Sequence, residues 1–251
     1  MKEVISISTT RTRKASSGKA TTPKEAPLTL DKHIFYGIDL DDDQKKFRDA
    51  IWSRDVDTVI CEACAGSGKT TIALGTAIML VEYGLYSGII YQVAGGVYES
   101  RQGLLPGTLQ QKSQPLFAPL YQAVMRLGHD PDRLIASEDN MAAIKEGTAF
   151  ITAQSNSYIR GTSFGEHDSP VIVVLDEAQN YTLKDMRTAV TRVNEGSKLI
   201  VLGQQKQCDL KYEQDSGLPR LIEVFRPVEW TRVCTLTHNY RGRISTLGDQ
   251  L

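Results

Sequence analysis

Long apolar runs are missing from this sequence of 251 residues. A membrane-spanning helix needs roughly 18 or more consecutive apolar residues, and no such stretch occurs. The N-terminus also lacks the apolar core of a secretory signal. We therefore expect a chain that neither spans a membrane nor is exported, and we predict a cytoplasmic location.

A strong net charge is also absent. The formal net charge is −1, so no overall positive field indicates a nucleic-acid partner. The charge is uneven, however, because residues 1–30 hold six basic and two acidic side chains. This segment is poor in large apolar residues, and we interpret it as a mobile basic tail in front of one domain over residues 31–251. The tail is either a solvated segment without a specific role or a non-specific contact for phosphates.

Cysteine is scarce. Four cysteines are too few for a disulfide scaffold in a chain of this length. Cys61 and Cys64 form a C-x-x-C pair, but Cys208 and Cys234 stand apart, so the spacing of a four-ligand zinc site is missing. We expect neither a structural metal nor a redox role for them.

The strongest positive signal is a glycine-rich loop between a predicted strand and a predicted helix. The β-branched run at residues 56–61 leads into Gly66, Gly68, Lys69 and Thr70, and helically spaced apolar residues follow. Backbone N–H groups of such a loop close around phosphates, its Lys reaches the β and γ oxygens, and its Thr hydroxyl binds Mg²⁺. One departure is Ala63, which occupies the position of the pattern's first glycine. The predicted nucleotide-binding residues of the loop are Ala65, Gly66, Ser67, Gly68, Lys69, Thr70 and Thr71.

A pair of carboxylates forms the second signal. The continuous apolar run at residues 171–175 is typical of a strand buried on both faces, and it ends in Asp176 and Glu177. Ligands of open α/β sheets bind at the carboxyl ends of strands. We predict that Asp176 holds Mg²⁺ through water and that Glu177 orients or deprotonates the attacking water. The alternative is that the two acids cap the following helix.

The remaining pattern alternates strands with helices and predicts an α/β fold, with a mostly parallel sheet covered by helices on both faces. Further strands are predicted at residues 88–93, 148–152, 198–202 and 232–236. Helices are predicted near residues 43–53, 116–127, 137–145 and 183–192.

With these residues in view, the chain resembles the PhoH-like ATPases, which are related to the first RecA-like domain of superfamily 1 helicases. The resemblance covers about residues 40–244. It is carried by the stretches at residues 103–112, 115–121, 158–161, 174–180, 191–192, 196–198 and 216–218. It implies a single RecA-like P-loop NTPase domain that uses ATP and Mg²⁺ and hydrolyses ATP.

The helicase relatives suggest three more site residues. Gln44, at the start of an amphipathic helix, resembles their adenine-reading glutamine, although a capped helix start with an exposed Gln gives the same pattern. Gln207 resembles their γ-phosphate sensor, while the Gln at position 204 departs from the usual Asp. Arg241 resembles their γ-phosphate arginine, which would make it a catalytic arginine finger. The alternative for Arg241 is a surface residue of a C-terminal helix.

The resemblance also implies contact with single-stranded RNA or DNA. The Arg-Pro pair that commonly ends the second strand in the family is absent here, which leaves Arg101 and Arg160 as candidate phosphate contacts. Tyr98 and Tyr158 fit either base stacking or core packing.

A monomeric helicase closes its ATP site with a second RecA-like domain, and the sequence ends ten residues after Arg241. We therefore expect either that Arg241 completes the site of its own subunit in cis or that neighbouring subunits supply the missing half. We therefore expect a homo-oligomer, such as a hexameric ring. The short form also resembles phage-encoded members, which would place it in a host cytoplasm. Three functions stay open, namely a nucleic-acid-coupled ATPase, a slow nucleotide-dependent switch acting on a protein partner, and a small-molecule kinase.

Overall fold

A parallel sheet forms the centre of the protein. The computed structural model describes residues 25–31, 35–94, 114–137, 140–156, 164–166 and 168–248. Within these ranges the strands are β1 Thr58–Ala63, β2 Ile89–Val93, β3 Ile151–Ser155, β4 Ile172–Asp176, β5 Lys198–Gly203 and β6 Thr231–Leu236. Their order is β3-β2-β4-β5-β1-β6, and every neighbouring pair is parallel. The predicted α/β class is confirmed.

Helices cover both faces of this sheet. The helices of the described residues are α1 Asp42–Trp52, α2 Lys69–Glu82, α3 Ala118–Arg126, α4 Pro131–Leu134, α5 Met141–Glu146, α6 Leu183–Val190, α7 Leu218–Phe225 and α8 Arg243–Gly248. Alternate strand residues point to opposite faces. Thus Val59 and Val174 pack in the cluster with α1, α2 and α3, whereas Ile60 packs in the cluster with α6 and α7.

Local sequence explains where several helices begin. Asp41 accepts the N–H of Gln44 at 2.8 Å while the Gln44 side chain accepts the N–H of Asp41 at 3.0 Å, so α1 begins with a complete capping box. Thr182 caps α6 by accepting the N–H of Asp185 at 3.2 Å. α6 is therefore capped by Thr182 rather than by Asp176 or Glu177. Glu177 occupies the N-cap position of a short 3-10 helix, Ala178–Asn180, but its side chain makes no capping hydrogen bond there.

Two boundaries and two helices differ from the sequence prediction. The strand predicted at residues 148–152 is β3, Ile151–Ser155. Its predicted start instead closes α5, because the N–H groups of Thr148 and Ala149 both donate to the carbonyl of Ala143. The helix predicted at residues 137–145 is Met141–Glu146, and neither α4 nor α7 was predicted from the sequence.

The segment at residues 25–31 lies against the domain. The indole N–H of Trp52 donates to the carbonyl of Pro27 at 3.0 Å, and Arg54 donates to the carbonyl of Ala26 at 3.1 Å. Arg48, fully buried, donates to the carbonyl of Asp31 at 3.2 Å. Residues 25–30, which the sequence analysis assigned to the tail, thus contact the domain, while residues 1–24 lie outside the described ranges. The boundary between tail and domain at residues 30 and 31 stays a prediction.

Among the residues described, no helix has the length and apolarity needed to cross a membrane. The four cysteines are free thiols, with Cys61 buried in β1 and the others partly buried. Cys61 and Cys234 stand opposite each other in the register of β1 and β6.

Candidate nucleotide-binding site

The predicted site residues gather at the carboxyl edge of the sheet. β1 ends at Ala63, β4 ends at Asp176 and β5 ends at Gly203, and because the strands are parallel these ends share one edge. The loop after β1 runs directly into α2, whose first residue is Lys69. This edge is where α/β proteins with this connectivity bind ligands.

The loop needs its two glycines for backbone reasons. Gly66 and Gly68 have φ of +71° and +85°, in the left-handed region that favours glycine. A Cβ on Gly66 would also lie 2.6 Å from Oδ1 of Asn239 and 2.7 Å from Cγ of Arg241. The loop and the segment after β6 therefore touch at a point where only a hydrogen fits.

The loop fits a phosphate group. The N-cap of α2 is Gly68, which has no side chain to cap the helix, so its first N–H groups are available to an anion, and the helix dipole favours negative charge there. The hydroxyl of Ser67 is buried, and none of the residues that the structure describes forms a hydrogen bond with it. A buried hydroxyl without a partner is costly, and a phosphate oxygen would satisfy it. Ala65 lies in the same loop, and Thr71 is buried in the first turn of α2.

Thr70 and Asp176 are brought together as the sequence predicts for a metal site. The Thr70 hydroxyl donates to Oδ2 of Asp176 at 2.8 Å, and Asp176 is fully buried. The same oxygen accepts the hydroxyl of Tyr91 on β2 at 2.7 Å. Hydroxyl and carboxylate oxygens are the ligands that Mg²⁺ prefers, so these two residues fit that ion.

Tyr91 was not predicted as a site residue from the sequence. Its signal is visible only with the strand register, in which Tyr91 pairs with Val174 and therefore shares a face with Asp176 two residues further along β4. The available hint in the sequence was the polar hydroxyl of Tyr91 between the apolar residues Ile89 and Val93 of the same strand face.

Glu177 lies beside the loop lysine in a strained turn. Its φ is +50°, which is uncommon for a residue with a side chain. Its Oε1 is 3.8 Å from Nζ of Lys69, and its Oε2 accepts the side-chain N–H of Gln179 at 2.7 Å. Burial, and secondly the charge of Asp176, raise the pKa of Glu177 above its usual range, while Lys69 and Gln179 act in the opposite direction.

Gln179 links Glu177 to the loop after β5. Its side-chain N–H also lies 3.3 Å from the carbonyl of Gln207, and its Oε1 accepts the N–H of Gln204 at 3.0 Å. Gln179 is fully buried. It belongs to the stretch at residues 174–180 that carries the family resemblance, yet the sequence analysis gave it no role. The side chain of Gln207 is exposed, and its assignment as γ-phosphate sensor stays a prediction.

Gln44 touches the loop from α1. Its side-chain N–H donates to the carbonyl of Ser67 at 2.8 Å, and its Oε1 takes part in the capping box. Gln44 is buried, with 5% exposure, so the exposed Gln of the alternative interpretation is wrong although the capped helix start is present. One N–H and one lone pair of the carboxamide remain, and its adenine-reading role stays a prediction.

Arg241 lies against the loop of its own chain. Besides the contact of its stem with Gly66, the preceding N–H, of Tyr240, donates to the Gly66 carbonyl at 3.1 Å. Asn239 Oδ1 accepts the N–H of Arg241 at 2.8 Å, which holds the turn. Arg241 precedes α8 and does not belong to it, so the alternative of a helical surface Arg is wrong about the element.

Four predicted nucleic-acid residues are not among those that the structure describes. Arg101, Arg160, Tyr98 and Tyr158 lie outside the described residues, as does the stretch at residues 103–112.

A glycine-rich loop between β1 and α2 that faces a carboxylate at the end of β4 is the arrangement of the RecA-like P-loop fold. The chain belongs to the PhoH-like family, whose model matches residues 39–246 under the description "PhoH-like protein". A PhoH-like protein of Mycobacterium tuberculosis is 31% identical over 77% of this chain and 51% of its own length. Protein PhoH of Escherichia coli is 32% identical over 66% of this chain and 44% of its own.

The chain thus spans about half the length of these relatives. Among solved structures, the HK97 bacteriophage large terminase aligns with a TM-score of 0.46 and 16% identity, over 79% of this chain and 39% of that one.

Proposed function

We propose that the protein is a Mg²⁺-dependent ATPase coupled to the binding or remodelling of single-stranded RNA or DNA. The observation that carries the ATPase part is the hydrogen bond between Thr70 and Asp176, which joins the phosphate loop to the carboxylate strand. These are the two residues that would hold the metal ion. Membership of the PhoH-like family supports the binding of a nucleotide. The relatives are about twice as long as this chain, so the nucleic-acid partner has to be identified by experiment.

Lys69 and the N-terminus of α2 would bind the phosphates, and Thr70 and Asp176 would hold Mg²⁺. When bound, this ion neutralises charge on the β and γ oxygens. In this proposal the Glu177 carboxylate takes the proton of the attacking water while the water oxygen bonds to the γ phosphorus and ADP leaves. The raised pKa of Glu177 makes it a stronger base than an ordinary carboxylate.

Arg241 and Gln207 would complete the site. The planar guanidinium of Arg241 would stabilise the negative charge that spreads over the γ-phosphoryl oxygens. Gln207 would orient the water or sense the γ-phosphate, and Gln179 connects its backbone to Glu177. Gln44 would contact the adenine.

A slow nucleotide-dependent switch that acts on a protein partner is the second candidate. It is favoured by the end of β2, where Val93 and Ala94 are buried and apolar and offer no cation to a nucleic-acid phosphate. In the proposed coupling, Arg101 and Arg160 would have to supply that contact. A small-molecule kinase is less well supported, because the carboxylate Glu177 beside the metal residue serves hydrolysis better than phosphate transfer.

Steady-state ATP hydrolysis, measured with and without single-stranded RNA and DNA, tests the proposal. Lys69→Ala is the control for contaminating ATPases. Stimulation by one polymer would support the coupled ATPase and identify the polymer. Slow, unstimulated turnover that Lys69→Ala abolishes would favour the switch, and turnover insensitive to Lys69→Ala would contradict both.

Glu177→Gln should reduce hydrolysis on the order of 100-fold or more, because an amide cannot accept the proton of water. ATP binding should persist, since the change leaves the phosphate loop intact. Single-turnover hydrolysis and binding of a fluorescent ATP analogue measure the two effects. Glu229→Gln, an exposed carboxylate away from the site, should behave as wild type. Unchanged turnover in Glu177→Gln would remove Glu177 from the mechanism.

A further inference from the structure

Tyr91 places a hydroxyl at the centre of the site from a strand that is otherwise apolar on that face. The ring is fully buried in the cluster that α2 covers, beside Ile89 and Val93. Its hydroxyl lies 2.7 Å from Oδ2 of Asp176. Burying a hydroxyl in an apolar layer is unfavourable unless it is hydrogen-bonded, and the charged Asp176 carboxylate is a strong acceptor.

The fully buried carboxylate of Asp176 receives three hydrogen bonds from the residues that the structure describes. Oδ2 accepts the hydroxyls of Tyr91 and Thr70, and Oδ1 accepts the N–H of Glu177 at 2.9 Å. Three donors fix the plane of the carboxylate and offset part of the cost of burying its charge. An ionised carboxylate can only accept, so the Tyr91 hydroxyl is the donor of this hydrogen bond.

The orientation of Asp176 determines the orientation of Thr70. A Thr70 hydroxyl whose proton is donated to Asp176 keeps its lone pairs for another partner, as a metal ligand requires. If the carboxylate turned, that arrangement would be lost. Tyr91 is the donor to Oδ2 that comes from the sheet, since Thr70 comes from the loop helix.

We propose that Tyr91 is a positioning residue that holds Asp176, and through it Thr70, in the orientation that binds the metal ion of the nucleotide complex. This inference rests on the proposed function and adds to it a residue on β2. Groups that orient metal-binding residues commonly affect metal affinity strongly. The effect of Tyr91 should therefore appear in metal binding and not in the binding of nucleotide without metal.

The test compares Tyr91→Phe with Tyr181→Phe in the full chain. Tyr181 is also fully buried, but none of the described residues hydrogen-bonds to its hydroxyl, so Tyr181→Phe removes the same atom without removing a hydrogen bond to Asp176. Free Mn²⁺ is followed by electron paramagnetic resonance in the presence of a non-hydrolysable ATP analogue. Binding of the analogue in excess chelator is measured separately.

We expect Tyr91→Phe to raise the Mn²⁺ concentration for half-saturation on the order of tenfold, whereas Tyr181→Phe should match the wild type. Binding of the analogue without metal should be equal in all three proteins. Tyr91→Leu, checked by thermal unfolding, serves if Tyr91→Phe does not fold, and the same rise is expected. A Tyr91 variant that folds and binds Mn²⁺ like Tyr181→Phe overturns the inference.

The two proposals fail in different ways. If the wild type binds Mn²⁺ with the analogue, and Lys69→Ala weakens this binding, a null effect of Tyr91→Phe overturns the role of Tyr91 alone. If the wild type shows no binding that depends on Lys69, the nucleotide site itself is contradicted, and the role of Tyr91 is overturned with it.

Discussion

Gly66 and Gly84 have almost the same φ, +71° and +74°, but their surroundings differ. Around Gly84 no atom of the described residues lies within 4 Å of the position of a Cβ. At Gly66 that position is blocked by Asn239 and Arg241. The Asn239 side chain is held by hydrogen bonds to the N–H of Arg241 and to the Ser245 hydroxyl, so it cannot move away without cost. Substitutions at the two glycines therefore distinguish the effect of backbone strain from the effect of disturbing the contact with Asn239 and Arg241.

Gly66→Ala should displace the turn that carries Arg241. We expect ATP hydrolysis to fall on the order of 100-fold, as for other misplacements of about 1 Å in an active site. The measurement is steady-state hydrolysis with binding of a fluorescent ATP analogue alongside.

Gly84→Ala is the matched control for this prediction. An alanine in the left-handed region costs about 1 kcal/mol at either position, so both variants should lose a similar amount of stability from strain. Only Gly66→Ala should also lose ATP hydrolysis activity, because only there does the added methyl group displace Arg241. Equal activity of the two variants would show that the Gly66–Arg241 contact has no role.

At the scale of elements, β5 begins with a buried lysine. Lys198 is 1% exposed, and its ammonium donates to the carbonyls of Ser53, at 3.0 Å, and Val56. These bonds join the start of β5 to the end of α1 and to the residues before β1. Burial lowers the pKa of Lys198 to about 8, although the charge of Asp57 acts in the opposite direction. A charged Lys198 is thus tolerated in the fold at a cost in stability.

This lysine should make stability depend on pH. Below pH 8 the folded and unfolded chains both carry the charge, and between about pH 8 and pH 10.5 only the unfolded chain retains it. The free energy of unfolding should therefore rise with pH in that window, by about 2 kcal/mol between roughly pH 7.5 and pH 9.5 from this group. Denaturant unfolding of the wild type and Lys198→Met across this range measures the difference.

In the difference between the stability profiles of wild type and Lys198→Met, the contributions of groups that titrate in both proteins cancel. Burial raises the pKa of Cys234 to about 11, which lowers stability as pH rises, but it does so in wild type and variant alike. Lys184→Met, at an exposed position of α6, should leave the wild-type profile unchanged. A Lys198→Met profile parallel to that of the wild type would contradict the assignment.

Most elements could be predicted from the sequence because their signals are local. The β-branched runs gave the strands, and the glycine spacing gave the loop between β1 and α2. The start of β3 was wrong because Gly147, with φ of +73°, lets residues 148 and 149 turn back onto α5, a choice that an apolar run does not reveal. Tyr91 was missed because its contact joins positions 85 residues apart, and only the register of β2 and β4 brings them together.

At the scale of the whole molecule, the chain returns to its own phosphate loop. After β6 the segment that carries Asn239, Tyr240 and Arg241 packs on Gly66, and the Tyr240 hydroxyl donates to Asp41 at 2.6 Å. The loop is thereby enclosed by the start of α1 on one side and the segment after β6 on the other. This closure within one chain favours the alternative in which Arg241 acts in cis, whatever the oligomeric state.

Mixing two inactive variants separates the cis from the trans arrangement. Lys69→Ala lacks the phosphate-binding lysine and Arg241→Ala lacks the guanidinium, and each should have little activity alone. If Arg241 acts in cis, mixed and exchanged subunits contain no complete site, so activity should stay at the level of the separate variants. If it acts across a ring interface, about a quarter of the sites in an equal mixture would become complete.

Wild type mixed with Lys69→Ala under the same conditions gives the control for subunit exchange and dilution. Recovery towards a quarter of wild-type hydrolysis would overturn the cis assignment and show that the contact with Gly66 does not determine where Arg241 acts.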